Sequence, residues 1–209
     1  MGGLIPLFFR QKRSPQLASM KTRFLRPCLA VVAGVLFIFP CVPSHAQAPS
    51  KKMNPADAGR DLRQMMLTTP PGALGGKPTK EFPRVYAVLM DWPIGEHTAT
   101  ILASSTGAGS LYTTSTFGII GGESHETVRK AAMHFTREAN RLFDAATPTK
   151  EFPYPAAGHV RFYLLTFEGV RVLETDLASI ENGTSRYIEF FGLGQAVLTQ
   201  LRQISEKAR

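Results

Sequence analysis

Cysteine is almost missing from this chain: the only two, Cys28 and Cys41, fall within the first 46 residues. Beyond that point no disulfide and no thiol chemistry is available, so the remaining chain must be held by its core alone. Acidic residues are absent from the same first 46 positions, which carry six basic ones: Arg10, Lys12, Arg13, Lys21, Arg23 and Arg26. The apolar stretch that follows, Leu29 to Phe39, is well short of the roughly 20 residues that span a bilayer, and Pro40 and Pro43 close it. Tryptophan occurs once, as Trp92, and no P-loop, Gly-x-Ser-x-Gly elbow or paired metal-ligand spacing is present.

A basic start, a short apolar stretch and the small-residue site Ser44-His45-Ala46 together form the pattern of an export signal. Cleavage is expected after Ala46. Ala46-Gln47-Ala48 also satisfies the small-residue rule but would leave Pro49 directly after the cut. Met20 is an alternative start to Met1, and a retained anchor is the alternative to cleavage. The expected location is periplasmic or secreted, with no stable membrane span once the leader is removed.

Removing the leader changes the charge argument. The whole chain has 24 basic and 16 acidic residues, a formal net charge of +8; without the leader 18 basic residues face the same 16 acidic ones. The basic excess therefore belongs mainly to the export signal, and no nucleic-acid partner is expected. About 160 residues remain, enough for one domain with a sizeable core.

Residues 1–46 are read as signal peptide, 47–83 as a flexible Pro/Gly-rich linker with one short helix, and 84–209 as a single domain. The linker helix is expected to begin at Asn54-Pro55, to run to about Leu67 and to expose Arg60 and Arg63. In the domain, Val85 to Trp92 and Thr98 to Ser105 read as a hairpin, with Ser110 to Thr116 as a third strand. Val128, Ala131, Ala132, Phe135, Ala139, Leu142 and Phe143 recur at helical spacing and predict a helix over about 125–146. A second hairpin follows at His159 to Phe167 and Val170 to Asp176, and a last helix at about 185–207 contains Gly192 and Gly194. The predicted fold is α+β: an antiparallel five-stranded sheet with two amphipathic helices on one face, in the order βββ-α-ββ-α.

Pro78-Thr79-Lys80-Glu81-Phe82-Pro83 recurs residue for residue as Pro148-Thr149-Lys150-Glu151-Phe152-Pro153. Each copy precedes a strand. The expectation is an extended lead-in whose Phe packs on the domain edge; paired recognition tags or a duplicated half-domain is the alternative.

Candidate chemistry concentrates between Ser110 and Glu126, where hydroxyls, glycines and His125 meet a helix start. Ser115, Gly121, Gly122 and His125 are the candidate ligand-binding residues, because amides at a helix start can hold an anion. A hydrolytic triad of Ser115, His125 and Asp91 can be composed on paper, although no spacing selects it. The ordinary reading is that the glycines permit a tight strand-to-helix turn. Trp92 at the first hairpin tip is the candidate interaction residue, or else a cover for the core edge. His97, His125, His134 and His159 are scattered, so no metal and no cofactor are expected.

In Gly109-Ser110-Leu111-Tyr112, Phe117 to Gly122, His125 and Val160 to Arg171, the chain resembles a group of bacterial proteins to which no activity is assigned. That resemblance covers about 85–201 and implies no functional residues. The order of elements is similar in architecture to the small sheet-and-helix folds of the roadblock and profilin type. The leading expectation is an exported interaction or ligand-binding module acting on an unknown protein partner or as a homo-oligomer. The alternative is a hydrolase or ligand-binding enzyme centred on the Ser110 to His125 loop.

Overall fold

The computed structural model describes residues 55–74, 76–115 and 117–207. The leader, its cleavage site and the expected cap Asn54 lie outside the described residues. No helix among the described residues is long and apolar enough to cross a membrane.

The fold is α+β, built on one antiparallel sheet. It begins with helix α1 (Pro55–Thr68), followed by strands β1 (Val85–Ile94), β2 (His97–Ser104) and β3 (Gly109–Thr113) and helix α2 (Glu126–Arg141). Then come β4 (Thr147–Thr149), β5 (His159–Thr166), β6 (Gly169–Asp176), the short α3 (Leu177–Glu181) and α4 (Ile188–Lys207). The sheet has six strands, not the expected five, in the order β3-β2-β1-β5-β6-β4. The extra strand is β4, which pairs through Thr147, Pro148 and Thr149 with Val172, Arg171 and Val170. Three residues centred on a proline carry no period-2 signal, and a proline without an N–H is tolerated only at a sheet edge.

Strand alternation divides the core in two. Val88, Met90, Ile101, Phe162 and Leu164 face α2 and α4, where they meet Val128, Phe135, Phe190, Val197 and Leu201. Leu89, Leu102, Tyr112, Tyr163 and Leu165 point the opposite way and meet Met66 and Leu67 of α1, with Leu62 packed alongside. The helical stripe read from the sequence thus buries α2 as expected. Gly194 of α4 packs on the end of the Met90 side chain: a Cβ there would sit 2.6 Å from its thioether, so any larger residue would make Met90 move.

Helix α1 covers the second face of the sheet, inside the segment assigned as linker. Arg60 is exposed as expected, but Arg63 is not: it is 3% exposed, against an Asp91 that is fully buried. Arg63 Nε and Nη2 donate to the Asp91 carboxylate at 2.9 and 2.6 Å, and Thr100 Oγ1 donates to it at 2.5 Å. Nη1 of Arg63 reaches the carbonyl of Phe152 at 3.0 Å, and its guanidinium lies 4.2 Å from the Tyr154 ring centre. An isolated helical pattern with a charge on its apolar side reads as exposed; the acid that receives the charge is 28 residues downstream.

The two copies of the hexapeptide differ: the first is a turn closed by Thr79 and Phe82 just before β1, while Pro148 and Thr149 of the second belong to edge strand β4. Phe82 is buried, and its N–H is held by Thr79 Oγ1 at 3.0 Å; Phe152 packs edge-on against Tyr163 at 5.9 Å. Between them, Asn140 ties α2 to the first strand: its Oδ1 accepts from the Arg84 and Val85 amides, and its Nδ2 donates to the Val85 carbonyl.

Because the Arg63–Asp91 pair is desolvated, removing one member leaves an uncompensated buried charge, at a typical cost of about 3–5 kcal/mol. Arg63→Leu is expected to destabilise α1 docking by an amount of that order, seen as loss of hydrogen-exchange protection across 58–68. The double variant Arg63→Met/Asp91→Leu is expected to recover most of it, as measured by urea unfolding of both variants.

Candidate functional site

The sequence-predicted residues gather around the loop that joins β3 to α2. β3 is an edge strand, and the loop folds back on it: Leu111 and Ile119 exchange backbone hydrogen bonds at 2.7 and 2.9 Å. Thr113 Oγ1 bonds both the Phe117 carbonyl and Ser115 Oγ, the latter at 2.7 Å. These contacts hold the loop close to α1. At the crossing, a Cβ on Gly59 would overlap the Thr113 carbonyl oxygen, so glycine is what lets the helix lie directly against the strand backbone.

Between helix, strand and loop lies a cleft of 180 Å³. Ala58, Gly59 and Leu62 form its α1 wall, Leu111 and Tyr112 its β3 floor, and Phe117 and Ile120 its outer lip. Among the described residues no charged one lines it. Phe117 is 46% exposed and Ile120 is 65% exposed, unusual for large apolar side chains on a short loop. Burial pushes the Tyr112 phenol up from its ordinary value.

Ser115 lines this cleft and is half-buried, with its hydroxyl already engaged by Thr113. His125 does not line it; it is exposed at the residue preceding α2, with extended backbone and no side-chain capping bond. Gly121 takes a positive φ of 82° and turns the chain toward the helix. Gly122 is buried, and a Cβ there would press on Val128 and Leu201 at 2.7 and 2.8 Å. Its smallness serves helix packing. Asp91, composed on paper with Ser115 and His125, is committed to Arg63 and Thr100. Burial pushes its carboxyl up, and the Arg63 and Thr100 hydrogen bonds draw it back down.

Trp92 is half-buried and stands edge-on to Phe191 of α4 at 5.7 Å, closing the end of the helix-side core. Among the described residues no group of three or more His, Cys, Asp or Glu is arranged to hold a metal ion.

Phe117 and Ile120 were the residues sequence reasoning passed over. Their signal was present: Phe117-Gly118-Ile119-Ile120 is an apolar quartet in a glycine-rich loop with no strand-length run to absorb it. Only Ile119 turns inward, to bridge Leu111.

No protein-family model, curated protein or solved structure matches this chain.

Gly59→Ala tests the close approach that shapes the cleft. On helix propensity alone alanine should stabilise α1 by about 1 kcal/mol. The overlap with the Thr113 carbonyl is expected to reverse that sign, giving a lower Tm and faster amide exchange in α1, while Gly72→Ala, with open space around it, leaves both unchanged.

Proposed function

We propose that the chain is an exported α+β interaction module that binds a partner protein through the apolar cleft beside β3. The observation that carries this reading is the pair Phe117 and Ile120, 46% and 65% exposed at the lip of an uncharged cleft. Scattered exposed apolar residues are ordinary on protein surfaces, but two large ones framing a concavity form a contiguous patch of the kind that marks interfaces. The core of a protein interface is depleted of charge and anchored by aromatic and aliphatic side chains entering pockets. The cleft volume suits one apolar side chain of the partner, clasped between Leu62 and Ile120 with Tyr112 beneath. The basic leader, its apolar stretch and Ser44-His45-Ala46 support action in the periplasm or outside the cell.

The test is to express the full chain in a bacterium, purify it from the periplasm, and examine it by light scattering and native mass spectrometry. The expected result is a mass beginning at Gln47 and a dimer or retained protein that Ile120→Asp disrupts. Loss of an interface anchor costs about 2 kcal/mol or more, so affinity should fall at least about 30-fold, with Tm unchanged. A strict monomer, or a complex indifferent to both Phe117→Asp and Ile120→Asp, overturns the binding reading. An uncleaved leader overturns the location.

A further inference from the structure

A second concavity lies on the other side of the sheet, between the C-terminal half of α2 and the start of α4. Its volume is 470 Å³, against 180 Å³ for the cleft beside β3, and the two share no lining residue. The floor is apolar, made by Leu142, Phe190 and Leu193. The rim is charged and of both signs. His134, Glu138 and Arg141 are spaced along one side of α2, and Arg186 and Glu189 stand opposite at the start of α4.

These rim charges divide by their partners. Glu138 is occupied: it pairs with Arg141 at 2.9 Å, and His134 stands 4.0 Å away. Arg186 and Glu189 have no ion-pair partner among the described residues, even though their i, i+3 spacing would allow them to meet. Arg186 instead lies over the Tyr187 ring, 4.6 Å from its centre, and donates to the Tyr187 hydroxyl. Tyr187 is buried while Arg186 is exposed, so the guanidinium rests on a ring that belongs to the core. A cation and a carboxylate without ion-pair partners among the described residues therefore stand on the same wall, beside an apolar floor.

We propose that this groove binds a zwitterionic small molecule with an apolar body, of the class of a short apolar peptide with free termini. The ligand carboxylate meets Arg186, its ammonium meets Glu189, and its side chains cover Leu142, Phe190 and Leu193. The volume lies within the range of small-molecule sites, roughly 300–1,000 Å³. An anion alone would face Glu189, and a purely apolar ligand would leave both rim charges unused. The site is independent of the β3 cleft, and each can fail without the other.

The experiment is an amide NMR titration of ¹⁵N-labelled mature protein with leucyl-phenylalanine, carried to roughly 10 mM, well into the weak-binding range. Saturable shifts are expected at residues of the α2/α4 groove and not at 117–120. N-acetyl-leucyl-phenylalanine amide, which lacks both charges, is expected to bind about five- to tenfold more weakly, because each exposed ion pair contributes up to about fivefold. Arg186→Gln and Glu189→Gln are each expected to weaken the dipeptide about threefold while the remaining spectrum stays unchanged. Absence of saturable shifts, equal binding of the capped analogue, or full affinity in both variants overturns the proposal.

Discussion

The buried pair of Arg63 and Asp91 is the constraint on which the second face of the sheet depends. Asp91 lies in a cross-strand row in which Tyr112, Thr100, Asp91, Arg161 and Glu174 stand opposite one another on successive strands. Only Asp91 in this row is a fully buried charge, and it would be untenable under α1 without a partner, because an unpaired charge in a dry interior costs several kcal/mol; Arg161 and Glu174 remain accessible to solvent. Thr100 and Arg63 satisfy Asp91, and Glu174 satisfies Arg161. The carbonyl of Pro153 then accepts from Tyr163 at 2.5 Å and Arg161 at 3.2 Å, with Arg63 Nη2 at 3.4 Å. One proline carbonyl from the second hexapeptide thus joins the helix, the sheet and the loop in a single network. A buried ion pair is weak evidence for net stability, but it specifies register: slid by one residue, α1 would place its guanidinium away from the carboxylate.

The same layering bears on why the proposed binding surface is a loop and not a strand. An open sheet edge is a template for strand addition; here the β3 edge is partly covered and the far edge is blunted by a short, proline-centred strand. At β3, Thr113 lies under Gly59, Leu111 is bonded to Ile119, and the Gly109 carbonyl lies beneath Gly122. At the far side β4 is three residues long with Pro148 in its centre. With one sheet face packed by α2 and α4 and the other by α1, exposed large apolar side chains remain at Met65 of α1, Ile94 at the end of β1, Ile188 of α4 and Phe117 and Ile120 of the returning loop, and only the loop pair lines the cleft.

Much of the architecture was legible because it is local. The α2 stripe, the two hairpins and the final helix follow from periodicity and turn residues read over fewer than 25 positions, and their boundaries moved by only a few residues. What escaped was non-local. Strand β4 exists because Val170 to Val172 stand ready to pair with it, not because Thr-Pro-Thr favours extended structure. Arg63 looked like a solvated face because its carboxylate and carbonyl partners are 28 and 89 residues further along. Of the candidate site residues, Ser115 reaches the cleft and His125 does not. Hydroxyls and glycines in one segment do not determine which of them share a concavity.

The long reach of Arg63 also bears on when the β3 cleft comes into being. Its α1 wall, Ala58, Gly59 and Leu62, precedes Arg63 on the same helix, so the cleft exists only when α1 is docked. Docking requires Asp91 in place on β1 and the Phe152 and Pro153 carbonyls in place beside β5. Those groups meet only after β1 has paired with β5, a contact separated by about 70 residues and therefore slow to form compared with the hairpins. A partial chain ending before Pro153 would have α1, β1, β2 and β3 but would leave the Arg63 guanidinium half-satisfied over an open sheet. The cleft is therefore contingent on non-local packing, and the apolar lip of Phe117 and Ile120 is matched by its α1 wall only while α1 is docked.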